Sequence, residues 1–192
     1  MSDQDRDKWN RIYQASDRDS HGAAVVLTEN LHLLPRHGKA LDLACGTGAN
    51  AIELAKCGLD VHAWDISDVA LDRLGRQADK SGLHISLLRR DVSLHPPEPA
   101  SFDVIVVARF LDRGIVPHLI EAIRPDGLLY YQTYTRDKPA HIGPSNPDYL
   151  LARNELLALF SRLAIVFYRE DGRSGDLERG HRNEAMFVAQ KR

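Results

Sequence analysis

The stretch Lys39-Ala40-Leu41-Asp42-Leu43-Ala44-Cys45-Gly46-Thr47-Gly48-Ala49-Asn50 constrains the chain most. A short apolar run leads into a turn with glycines two apart, and the turn opens into a helical pattern. Strand, glycine turn and helix together bring backbone N–H groups up to a nucleotide in an α/β protein. Asp42 lies inside the apolar run rather than after it, which is unusual for a dinucleotide site.

The rest of the chain fits around this unit. A first helix-period face carries Trp9, Ile12 and Tyr13 at i, i+3 and i+4. Two readings stay open: the face packs as a satellite, or it closes over a ligand. Residues 23–34 have Ala24, Val25, Leu27, Leu31 and Leu34 at helical spacing, stopped by Pro35 and Gly38. Strands are expected at about 39–44, 61–65, 84–88, 102–108, 128–133, 164–168 and 185–189. Helices are expected at about 48–57, after a Ser67 cap, at 115–124, and at 154–160. The run Phe102 to Ala108 reads as a central parallel strand buried on both faces.

Strand and helix alternate as far as the fifth strand, and the last two strands have no helix between them. This predicts an α/β fold: a three-layer, doubly wound, seven-stranded, mostly parallel Rossmann-like sheet ending in an antiparallel hairpin. With 192 residues, one domain over 1–192 is expected, with a helical segment at about 1–34 and a lid-like loop at about 135–152.

Composition excludes little but steers the reading. Formal net charge is −2, so no global field favours nucleic acid or an anionic membrane. No apolar run approaches the roughly 18–20 residues of a membrane span, and the charged N-terminus has no signal core. Cys45 and Cys57 and the nine scattered histidines show no metal-ligand spacing, and a cytoplasmic location is expected.

In a parallel sheet the ligand crevice lies beyond the carboxyl ends of the strands. The first strand ends in Ala44-Cys45-Gly46-Thr47-Gly48, the second in Asp65, the third in Asp91-Val92 and the fourth in Arg109-Phe110. Small residues at 44, 46 and 48 let the backbone approach a ligand. Asp65 is placed to accept both hydroxyls of a ribose. Asp91 could accept from an adenine amine, with Ile66 and Val92 on either side of the base.

The segments Leu41-Asp42-Leu43-Ala44-Cys45-Gly46-Thr47-Gly48, Asp65-Ile66-Ser67 and Asp91-Val92 resemble the signature of class I S-adenosylmethionine-dependent methyltransferases. Trp9, Leu111-Asp112-Arg113, Arg124 to Leu129, and Gly143 to Pro147 before Leu150-Leu151 extend the resemblance. They make the chain similar to small bacterial methyltransferases related to the tellurite-resistance group. The resemblance implies S-adenosylmethionine as cofactor, with S-adenosylhomocysteine as product. It places Ala44, Gly46 and Gly48 along the methionine part, Asp42 at its amino group, Asp65 at the ribose, and Asp91 and Val92 at the adenine, with Cys45 and Ile66 also among the cofactor contacts. Arg109 and Phe110 would face the transferred methyl. Ala44 stands where the family commonly has glycine. The absence of an Asn-Pro-Pro-Tyr type motif at Arg109 argues against methylation of nucleic acid.

The expected acceptor is a small molecule, with a soft or anionic nucleophile: a thiol, a chalcogen oxyanion or a carboxylate. Arg109, Tyr134 and His141 are the candidate catalytic residues, and Trp9, Tyr13 and Arg136 the candidate acceptor contacts. A monomer or homodimer is expected, with no metal, nucleic acid or membrane partner. Two alternatives stay open: an NAD-dependent oxidoreductase, and a non-catalytic S-adenosylmethionine-binding protein. Against the first stand Asp91 and the terminal hairpin.

Overall fold

The computed structural model describes residues 3–15 and 22–192. Of the N-terminal segment 1–34, residues 1–2 and 16–21 lie outside the described residues. In chain order the elements are α1 (Asp3–Ala15), α2 (Val25–Thr28), β1 (Lys39–Leu43), α3 (Ala49–Lys56), β2 (Asp60–Asp65), α4 (Asp68–Lys80), β3 (Ile85–Arg89), β4 (Phe102–Ala108), α5 (Val116–Ala122), β5 (Ile123–Tyr134), α6 (Glu155–Leu159), β6 (Ala164–Arg169) and β7 (Glu184–Gln190).

The seven strands form one sheet in the order β3-β2-β1-β4-β5-β7-β6. The five strands β1 to β5 run parallel, while β7 is antiparallel to both β5 and β6. Strand order reverses between β1 and β4, so the crevice beyond Leu43 and Ala108 is the switch point.

The two faces of the sheet follow the period of two. Leu41, Leu43, Ile105, Val107, Leu129, Tyr131 and Phe187 point one way and pack with Leu119 and Ile120 of α5 and Leu156 of α6. Ala40, Val104, Val106, Tyr130 and Val188 point the other way, onto Val26 and Leu27, Ile52 and Leu54, and Leu74 of α4. Burial on both sides explains why β4 reads as an unbroken β-branched run.

Two boundaries depart from expectation. The helix expected over 23–34 is only α2, followed by a 3-10 turn at Leu31–Leu33. Asn30 stops it: its Nδ2 donates to the Val26 carbonyl at 2.9 Å, taking over a helical acceptor. The fifth strand begins at Ile123 rather than Leu128. Pro125 disfavours the helical conformation at Arg124. Ile123 pairs with Phe102 ahead of a register shift.

Candidate functional site

The turn after β1 has left-handed backbone at Ala44 (φ 54°), Gly46 (φ 54°) and Gly48 (φ 78°). Alanine in this region is uncommon, so Ala44 is held there by its surroundings. The Cys45 amide donates to the Trp64 carbonyl at 3.0 Å, tying the turn to the end of β2. A Cβ on Gly48 would stand 2.3 Å from Leu74 Cδ1, so only glycine lets the turn lie on α4.

Two buried carboxyls support this turn from below. Asp65 Oδ2 accepts from the Gly46 amide and Oδ1 from the Ser67 amide, each at 2.8 Å. Burial pushes the Asp65 carboxyl up, and the amides of Ser67, Gly46 and Ile66 oppose the shift. Asp42, fully buried in β1, accepts from the Ala51 amide at 3.0 Å and from Asn50 Nδ2 at 3.3 Å. Burial pushes its carboxyl up to about 8 against those two hydrogen bonds, with Asp65 adding to the rise. The Cys45 thiol is also pushed up, by burial and then by the two carboxyls, which makes it a poor nucleophile.

The third strand end is braced on the fourth. Ser93 Oγ donates to Asp112 Oδ2 at 2.6 Å, and the Ser93 amide donates to Asp91 Oδ1 at 3.1 Å. Asp91 and Ile66 are half-buried, and Val92 sits in the apolar core. The Arg90 amide donates to the Asp65 carbonyl at 2.9 Å, so the second and third strand ends meet.

Helix α1 lies over this crevice. Ser67 Oγ donates to Asn10 Oδ1 at 2.6 Å, fixing α1 to the start of α4. Tyr13 reaches the glycine turn, with its hydroxyl 2.7 Å from where a Gly46 Cβ would be. Its phenol is pushed up by burial first and then by Asp65, Cys45 and Asp42. Trp9 lies 6.0 Å from the Tyr13 ring, centroid to centroid, and is exposed. Helix α1 thus packs on α4 and the glycine turn through Asn10 and Tyr13, while Trp9 and Ile12 of the same helix are exposed.

Beyond β4 and β5 a cavity of about 260 Å³ is lined by Arg109, Tyr134, Ile142, His181 and Glu184, among others. Arg109 Nε donates to Glu184 Oε1 at 3.1 Å, and Gln132 Nε2 donates to Glu184 Oε2 at 2.5 Å. Arg109 and Tyr134 therefore come together. Phe110 packs on the core, and its carbonyl accepts from the Tyr131 hydroxyl at 2.9 Å. Arg136 and His141 are exposed and outside the lining of that cavity.

The supporting residues Asn10, Gln132 and Glu184 were not singled out from sequence. Gln132 alone left a signal, as a long polar side chain inside an apolar strand.

Residues 40–127 match the sequence profile of a family described as "Methyltransferase domain". Over those residues the chain is similar to methyltransferase domains. Among similar proteins is one named "Probable S-adenosyl-L-methionine-dependent methyltransferase TehB" from Haemophilus influenzae. It is 29% identical over 163 residues, covering 78% of this chain and 55% of the relative. "Putative methyltransferase YqeM" of Bacillus subtilis is 28% identical over 122 residues, covering 59% of this chain and 49% of its own. The chain spans about half the length of the curated relatives it matches. The crystal structure of Haemophilus influenzae TehB superimposes with a TM-score of 0.73 at 21% identity, over 96% of this chain and 67% of that one. The seven-stranded, mostly parallel α/β fold is therefore the one read from the sequence. Among the described residues no helix is long and apolar enough to cross a membrane.

Proposed function

We propose that this chain transfers a methyl group to a small-molecule acceptor, and that the acceptor's nucleophile is soft or anionic: a thiol, a chalcogen oxyanion or a carboxylate. The observation that carries the reading is the convergence of Asp42, Gly46 and Asp65 on one left-handed turn at the switch point. The fit to the cofactor rests on the same atoms. A carboxylate has about four lone-pair sites, and Asp65, oriented by the amides of Gly46, Ser67 and Ile66, keeps capacity for a ribose hydroxyl. Asp42 is a buried acid close under the turn, suited to compensate an ammonium group. Asp91, braced by Ser93, would meet an adenine amine, with Ile66 and Val92 beside the ring.

When bound, S-adenosylmethionine supplies an electrophilic methyl group on a sulfonium. The chain's contribution is alignment and exclusion of water. Tyr13 and Trp9 would wall the crevice from one side. Arg109 is aimed by Glu184, which takes one of its five N–H donors and leaves the others for an anionic acceptor. Tyr134 would flank that acceptor. Holding a nucleophile in line at short range is the main source of acceleration expected here. An anionic nucleophile needs no general base.

The test is calorimetric titration with S-adenosylmethionine, S-adenosylhomocysteine and NAD, followed by a transfer screen over 2-mercaptoethanol, thioglycolate, selenite and benzoate. Binding of the first two ligands and methylation of at least one acceptor is the expected result. NAD binding with no response to the other two would overturn the reading. Binding without transfer to any acceptor would favour a cofactor-binding protein.

A further inference from the structure

Residues 170–183 join β6 to β7 without helix or strand. Leu177 is their one large apolar side chain, and it is exposed. No apolar cluster can hold such a segment together; polar contacts do, among them the His181 amide donating to Asp171 Oδ2 at 3.0 Å and the contacts of Arg182. The guanidinium of Arg182 donates from Nε to the Arg179 carbonyl, from Nη1 to Ser174 and, at 3.5 Å each, to Asp171 and Gly172, and from Nη2 to Asp176. Five backbone carbonyls converge on one planar cation. A guanidinium suits this because its N–H groups form a rigid fork; the two hydrogens of Nη1 serve three carbonyls, so the 3.5 Å contacts to Asp171 and Gly172 are shared, and weak hydration makes the cation cheaper to half-bury.

Arg182 and its neighbours His181, Asn183 and Glu184 all line the cavity next to Arg109. Asn183 also accepts from the Thr135 amide on its carbonyl at 3.0 Å and from the Ala140 amide on Oδ1 at 3.1 Å. The closure around Arg182 thus fixes the wall opposite Tyr134.

We infer that Arg182 is a positioning residue: its half-buried guanidinium is the cation around which the 171–182 segment closes, and that closure builds one wall of the acceptor cavity. The second half rests on the proposed function; the first half does not.

The experiment compares the full chain with Arg182→Ala and Arg182→Lys. Trypsin cleavage after Arg173 and Arg179 should be about tenfold faster in both variants, the scale of a ~1.4 kcal/mol loss of local closure. Lysine should not protect, because a point charge with three donors cannot span five carbonyls. Millimolar guanidinium chloride should restore protection to Arg182→Ala, and sodium chloride at equal ionic strength should not. S-adenosylhomocysteine affinity should stay unchanged. KM for whichever screened acceptor the wild type methylates should rise about tenfold with a smaller change in kcat, and fall again with guanidinium. Wild-type cleavage rates in Arg182→Ala, or equal protection by sodium chloride, would overturn the cage. Guanidinium-dependent protection with an unchanged KM would overturn the link to the acceptor wall. A wild type that fails to bind S-adenosylhomocysteine would count against the proposed function and leave the proteolysis result to decide the cage.

Discussion

The hydroxyl of Tyr13 stands 2.7 Å from where a side chain on Gly46 would begin. Helix α1 and the glycine turn therefore fit each other only while residue 46 has no Cβ. Gly46→Ala should weaken S-adenosylhomocysteine binding and loosen α1, besides the ~1–2 kcal/mol that a left-handed φ costs an L-residue. Tyr13→Phe removes the oxygen that the new methyl would meet. In the Gly46→Ala background it should restore part of the loss, giving a coupling of about 0.5 kcal/mol or more in a double-mutant cycle. Strictly additive effects in calorimetry would contradict the contact.

Gly48 separates stability from binding. Its Cβ would meet the buried Leu74 at 2.3 Å, and its φ is 78°. Backbone strain of ~1–2 kcal/mol and overpacking of ~1–3 kcal/mol act together. Gly48→Ala should lower the stability measured by urea unfolding by about 3 kcal/mol.

Asp42 should make both stability and binding depend on pH. Its carboxyl is raised from 3.8 to about 8 by burial. Between those values the folded protein keeps a proton that the unfolded chain has lost. Stability should therefore fall as pH rises through that window, and level off above it. Asp42→Asn should flatten this slope. An ammonium group arriving beside Asp42 would favour the carboxylate. Cofactor binding at pH 7 should then release up to one proton, seen as a dependence of calorimetric heat on the buffer's ionisation enthalpy. Asp42→Asn should abolish that dependence.

Arg113 closes the 135–152 loop on α6. Its Nε donates to Glu155 Oε1 at 2.6 Å, and its terminal nitrogens donate to the carbonyls of Asp148 and Leu150. The hydrogen bond from Arg113 holds the Glu155 carboxyl below its usual value of 4.5. The contribution is complete above that value and is lost as pH falls through the folded one. Glu155→Gln at neutral pH should mimic acid. Hydrogen exchange at the Arg136 and Leu151 amides, which bond to Leu151 and Tyr134 carbonyls, should quicken about tenfold, a local loss of ~1–2 kcal/mol.

The sheet was readable because its signals are local. The run at 102–108, the glycine turn and the Ser67 cap each declare an element within a few residues, and Ser67 does accept from the Ala70 amide. Asp42, Gly46 and Asp65 could be brought together on paper because parallel strands share an edge. Glu184 could not be paired with Arg109, since the two are 75 positions apart and a charged residue opening a strand is ordinary. Arg182 left no trace either, because its partners are carbonyls, which every residue has. Asn30 ended a helix through a side-chain bond that periodicity does not see.

The most direct test of the account is calorimetric binding of S-adenosylhomocysteine to the wild type and to Asp65→Ala, with unfolding midpoints measured alongside. The account predicts binding by the wild type and at least tenfold weaker binding by the variant, about 1.4 kcal/mol or more, at a temperature where both remain folded. Equal affinity in the two proteins would contradict it.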